Sequence, residues 1–138
     1  MTPPCPPLAE ADAAGLSPIV LAYVGDSVYE LMVRSYLAVR GRVKPDELHR
    51  LSVGYVKASA QSESARLIKD RLTADEEAQY RRGRNAKAAS RPKGSGTLEY
   101  RRSTGFEALM GYLYLTGNTA RLSEVFSWIV GADGREGP

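Results

Sequence analysis

SPIVLAYVGDSVYELMVRSYL, residues 17–37, places apolar side chains at Ile19, Val20, Tyr23, Val24, Val28, Leu31, Met32 and Leu37. That spacing of three and four residues is the signature of a helix with one buried side. Ser17 suits the capping position, and Pro18 suits the first helical turn, where its missing amide costs nothing. Gly41 marks the expected end. So apolar a helix needs partners, and the rest of the chain supplies more segments of the same kind.

Pro45 opens a second helix with Leu48, Leu51, Tyr55, Val56 and Ala60 along one side. Its pattern runs on toward Leu72, with a bend expected near Gly54. Thr73-Ala74-Asp75-Glu76 is a capping box that starts a third helix, ending about Asn85. Residues 88–97, AASRPKGSGT, have the composition of a mobile loop. A fourth helix covers 98–115 with a stripe of Phe106, Leu109, Met110 and Leu113. Thr119 is the expected cap of a last helix carrying Leu122, Val125, Phe126 and Ile129. Nothing reads as a strand or a repeat, so the class is all-α. The expected organisation is a disordered Pro-rich lead at 1–15, one folded domain at 16–131 and a flexible tail at 132–138.

Several kinds of chemistry drop out. Cys5 is the single cysteine and His49 the single histidine, so a disulfide framework and a cysteine or paired-histidine metal site are excluded within one chain. No apolar run approaches the roughly 20 residues that span a bilayer, and the first 15 residues do not have the layout of a signal peptide. No glycine-rich phosphate loop or Ser/His/Asp set is present. Charge is more telling. The net charge is only +3. Yet residues 81–102 hold Arg81, Arg82, Arg84, Lys87, Arg91, Lys93, Arg101 and Arg102 against one acid, Glu99. A basic patch hidden by an acidic remainder is the footprint of a polyanion-binding face, or else a solvated basic loop.

Two acids sit in unusual company. Asp26 lies inside VLAYVGDSVYELM, and Glu107 inside GFEALMGYLYL. Burying a carboxylate is costly unless it is paired or binds a metal. The ordinary readings are an exposed Asp26–Glu30–Arg34 stripe and a surface glutamate. The other reading is that the two acids meet in the fold, where their oxygens suit a hard cation that keeps several waters. Gly25 and Gly111 lie beside them inside predicted helices, at a cost of about 1 kcal/mol each relative to alanine. Close helix packing, or room beside the acids, accounts for them.

Four blocks in order, AYVGDSVYE, PDELHRLSVGYVKASAQ, RRGRNAK and YRRSTGFEALMGYLYL, resemble the Mini-ribonuclease III family over about residues 17–130. They are also similar to the catalytic domain of ribonuclease III. The resemblance implies a helical endonuclease domain that works as a homodimer. Such a dimer cleaves double-stranded RNA with Mg²⁺ (Mn²⁺ as a substitute), leaving 5′-phosphate and 3′-hydroxyl ends. It implies Asp26 and Glu107 as catalytic residues and metal ligands. It implies Arg81, Arg82, Arg84, Asn85, Lys87, Arg91, Lys93, Arg101 and Arg102 as RNA contacts, and Tyr23, Glu30 and Thr104 as supporting or interface residues.

The resemblance further implies a cytoplasmic enzyme maturing the large-subunit (23S) ribosomal RNA precursor, with a ribosomal protein as a candidate helper. Ribonuclease III has a glutamate four residues before its GDS aspartate and an aspartate three before its FEA glutamate. Here those positions hold Ala22 and Thr104. Two recognisable carboxylates remain per subunit, which implies weaker metal binding. The resemblance implies a protein without a separate double-stranded RNA-binding domain, so RNA is expected to be held by the catalytic domain itself. The alternatives are a catalytically silent RNA-binding dimer on the same fold, which would have no need of both acids, and an all-α interaction subunit, which leaves the basic window unexplained.

Overall fold

The Ser17 hydroxyl accepts a hydrogen bond from the Ile19 amide at 3.2 Å and starts a helix, Pro18–Arg40. Gly41, at φ 69°, ends it in a conformation that glycine adopts without strain. The computed structural model describes residues 4–41, 44–86 and 97–132. In chain order these form α1 (Glu10–Ala14), α2 (Pro18–Arg40), α3 (Pro45–Val56), α4 (Ala58–Ile68), a 3-10 turn (Lys69–Arg71), α5 (Ala74–Asn85), α6 (Leu98–Leu115) and α7 (Thr119–Ala132). There is no strand among the described residues, and none of their helices is long and apolar enough to cross a membrane.

α6 is the centre of the fold. α2, α4, α5 and α7 all pack on it, while α3 lies on α2. The expected stripe of Phe106, Leu109, Met110 and Leu113 is fully buried, but Ser103, Gly105, Ala108, Gly111 and Tyr112 are buried too. The helix is thus wrapped rather than half-exposed. Phe106 meets Tyr29 of α2 edge to face, with ring centroids 4.8 Å apart.

Glycines set how closely the other helices approach it. A methyl group on Gly25 would overlap the backbone carbonyl of Glu107, and one on Gly111 would overlap the carbonyl of Leu21. α2 and α6 therefore cross backbone against backbone, as the placement of both glycines beside the acids suggested. α5 approaches α6 in the same way: a Cβ on Gly83 would lie 2.7 Å from that of Ala108, and one on Gly105 2.6 Å from the Tyr80 carbonyl.

Three expectations need correcting. The lead is ordered from its middle onward. The Leu8 amide donates to the Leu115 carbonyl at 2.9 Å, and α1 follows with Ala13 fully buried. The second predicted helix is two helices, and the break falls at Lys57 (φ −62°, ψ 155°) rather than at Gly54. The Gln61 side-chain amide donates to the Val56 carbonyl at 3.0 Å, which partners an end carbonyl of α3 and stabilises the corner. The last helix is capped by Asn118, whose side chain accepts from the Arg121 amide at 3.3 Å, one residue before the expected Thr119. The expected loop lies outside the described residues except for Thr97, which caps α6 by accepting from the Tyr100 amide at 3.1 Å. The expected tail, past Ala132, also lies outside them.

The capping box forms as read: Thr73 and Glu76 exchange side-chain and backbone hydrogen bonds at 2.9 and 3.2 Å. Glu76 is also buried against Arg121 of α7, which grips both its oxygens at 2.8 Å. The same guanidinium donates to the Arg71 carbonyl at 2.9 Å and lies 5.0 Å from the Trp128 ring centroid.

Gly25→Ala should destabilise the protein by about 3 kcal/mol or more, since only backbone stands in the way of the new methyl. Gly15→Ala should be tolerated within about 1 kcal/mol, because its added atom meets nothing closer than 3.4 Å. Urea unfolding of the two variants checks the contrast, and equal midpoints would refute the close crossing.

Candidate active site

The crossing of α2 and α6 brings two acids together. Residue 25 abuts the backbone of residue 107, so the next side chain on α2, Asp26, reaches the Glu107 carboxyl and hydrogen-bonds it. Asp26 is exposed to solvent while Glu107 is half-buried on the wrapped helix. The ordinary surface reading therefore fails for Glu107. For the α2 stripe it holds in part: Arg34 and Glu30 form a 2.6 Å surface ion pair.

Burial and the neighbouring Asp26 charge push the Glu107 carboxyl up to about 8, with the shared hydrogen bond acting in the same direction and a hydrogen bond from Gln61 acting against it. At neutral pH Glu107 thus keeps its proton. A divalent cation would replace that proton and answer both charges. The donor set is all oxygen, open to solvent on the Asp26 side, which fits a hard ion that retains water. Among the described residues no group of three or more His, Cys, Asp or Glu side chains could hold a metal. Ala22 is buried and offers no donor, and the Thr104 hydroxyl donates to the Tyr100 carbonyl at 3.2 Å.

The basic residues lie at the C-terminal end of α5 and the start of α6, and they are not equivalent. Arg81 is exposed and pairs with Glu77 at 2.9 Å. Arg82 is committed to the fold: it donates to the Leu16 carbonyl at 3.0 Å and to Gln79 at 2.7 Å. Arg84 lies 5.9 Å from the Tyr80 ring centroid and donates to exposed Asn85 at 3.2 Å. Arg101 donates to the Arg84 carbonyl at 3.1 Å, joining the two helices. Arg102 is half-buried. Lys87, Arg91 and Lys93 lie outside the described residues. Tyr23, one turn before Asp26, is 80% exposed.

Sequence reasoning missed Gln61. It is 1% exposed and touches Glu107. A signal existed: Gln61, Ala65 and Ile68 share the buried side of α4 at helical spacing. It missed Gly83 and Gly105 as well, both inside blocks read for charge and acid chemistry.

The ribonuclease III domain model matches residues 19–118. The chain belongs to the ribonuclease III family. It is an endoribonuclease of that type. It is 46% identical over 121 residues to a Mini-ribonuclease 3 of Enterococcus faecalis, covering 86% of this chain and 92% of that protein. A Mini-ribonuclease 3 of Symbiobacterium thermophilum is 49% identical over 115 residues, with 83% and 88% covered. A solved structure of a Fusobacterium nucleatum protein superposes with a TM-score of 0.77 over 87% of this chain and 92% of that one, at 23% identity, which speaks to the fold. Divalent metal dependence is general in the ribonuclease III family.

Folded, Glu107 keeps its proton up to about pH 8; unfolded, it loses it near the ordinary 4.5. Between those values the native state binds a proton that the unfolded chain does not. Its stabilising effect is therefore fully present below pH 4.5 and is lost as pH rises toward 8. Glu107→Gln removes this loss. In chelator, melting temperatures of wild type and Glu107→Gln should diverge from pH 5 to pH 8 in favour of the variant; parallel curves would show that Glu107 is not held protonated.

Proposed function

We propose that the chain cleaves double-stranded RNA as a homodimer, with Asp26 and Glu107 of each subunit holding Mg²⁺, or Mn²⁺ in its place. The observation that carries the reading is the meeting of these two carboxyls across the α2–α6 crossing, one exposed and one half-buried. A divalent ion bound there supplies an activated water and charge stabilisation at the phosphate, leaving 5′-phosphate and 3′-hydroxyl ends. Asp26 faces solvent, where a phosphodiester can approach. Glu107 is fixed by the wrapped helix and gives up its proton when the cation enters.

Duplex RNA is held by shape and by phosphate contacts. Arg81, Arg84, Asn85, Arg101 and Arg102 cluster where α5 ends and α6 begins, with Lys87, Arg91 and Lys93 between them in the sequence. Arg82 serves this surface indirectly, by tying α5 to the α1–α2 connection. Binding of this kind weakens as salt rises.

The dimer reading rests on an apolar strip of α2 left in solvent, with Ile19 37%, Val20 46%, Tyr23 80% and Leu31 51% exposed. Tyr23 precedes Asp26 by three residues, so a second copy seated there would lie beside the acids. We further propose, from the family resemblance of the four sequence blocks, cytoplasmic maturation of the 23S ribosomal RNA precursor with a ribosomal protein as helper.

Cleavage of a perfectly paired RNA duplex should require Mg²⁺ and stop in EDTA. Asp26→Asn and Glu107→Gln should each lower the rate by about two orders of magnitude or more while the dimer persists. Salt-sensitive binding without cutting in either Mg²⁺ or Mn²⁺ would instead indicate a silent RNA-binding dimer. Separately, Tyr23→Glu should convert the dimer to monomer in sedimentation velocity, and an unchanged dimer would rule out the α2 strip as the interface.

A further inference from the structure

The α3–α4 corner requires one donor for the Val56 carbonyl, and Gln61 Nε2 supplies it at 3.0 Å. A glutamine amide has a second N–H and a carbonyl oxygen besides. Both are deep in the protein, since Gln61 is 1% exposed. Its Oε1 is buried with no hydrogen-bond partner among the described residues, which costs about 1–3 kcal/mol that a corner cap alone does not explain. Beside the corner, the side chain also bears on the Glu107 carboxyl, whose ionised form it favours.

We propose that Gln61 is a positioning residue of the active site: its amide spans from the Val56 carbonyl to Glu107 and holds that carboxylate in the orientation that receives a divalent cation. The inference rests on Asp26 and Glu107 being the metal-binding pair. A carboxylate on a cation uses one oxygen for the ion, and the other must be held by a neighbour if the group is not to swing. Asp26 cannot hold it in that state, because two ionised carboxylates repel and neither has a proton to donate. Gln61 can, because its donors do not depend on protonation. The anchor is firm, since the same nitrogen is tied to backbone and α4 packs directly on α6. Thus α4, which carries neither acid, joins α2 and α6 in building the site.

The test is calorimetric Mn²⁺ binding, without RNA, to the wild-type dimer, Gln61→Leu, Glu107→Gln and the double variant, with kcat and KM for a duplex alongside. Gln61→Leu should weaken Mn²⁺ binding roughly tenfold or more, in the range seen when a ligand loses its supporting hydrogen bond. It should lower kcat at limiting Mn²⁺ with KM little changed, and raising Mn²⁺ should recover part of the rate. In the Glu107→Gln background the same change should have no further effect on Mn²⁺ affinity. If Gln61 only holds the corner, Gln61→Leu will melt lower yet bind Mn²⁺ as wild type does, and the proposal fails. Gln61→Met, unbranched and similar in length, replaces it if the leucine variant does not fold. Wild-type Mn²⁺ affinity unaffected by Glu107→Gln would overturn the metal-site reading itself. Loss in Glu107→Gln with none in Gln61→Leu would overturn only the role of Gln61.

Discussion

Two helices in this protein touch where neither has a side chain. Gly25 and Gly111 let α2 and α6 cross with backbone against backbone, and the rest of the arrangement follows. The short separation brings Tyr29 onto Phe106 and seals the core between them. It also places residue 26 beside residue 107, although 81 positions separate them in the chain. A crossing at the usual 8–10 Å between helix axes would hold the acids farther apart. Packing and site geometry are therefore one constraint.

The same constraint creates a cost. α6 is surrounded by other helices, so Glu107 has reduced access to water, and the neighbouring Asp26 has the same sign of charge. A carboxylate placed there for folding alone would be a poor choice. Its position makes sense if the proposed cation is its partner; without one, Glu107 keeps its own proton at neutral pH. Local rules of helix composition are broken at Glu107 and at the two crossing glycines, and the breaches lie together, as expected where function constrains a fold.

Much of this was legible in the sequence. The long α2, the capping box at Thr73, the extent of α6 and the close packing at Gly25 and Gly111 all follow from spacing and from residues in unlikely surroundings, and the same signals single out Asp26 and Glu107 as candidates. What was not legible depended on tertiary partners. Nothing in the local pattern around residues 54–57 announces a break at Lys57, because the bond that stabilises it comes from the Gln61 side chain on the next helix. The lead looked too rich in proline to order, but Leu8 and Ala13 find a surface prepared by α6. The charge of Arg82 suggested a nucleic-acid contact, whereas its donors are engaged by Leu16 and Gln79. Gln61 went unremarked because a glutamine is unremarkable until its burial is known.

Arg121 has a consequence for how the fold comes together. Its guanidinium joins the end of the 3-10 turn, the start of α5 and the ring of Trp128 on α7, across sequence separations of 45 and 50 residues. Until that arginine arrives, Glu76 cannot go under cover without an uncompensated charge. The packing of α5 and of α7 is thereby coupled, even though the two helices share little direct surface. During synthesis the basic end of α5 would leave the ribosome well before the residue that locks its other end. The packing of α5 thus depends on a single side chain that lies far from it in sequence.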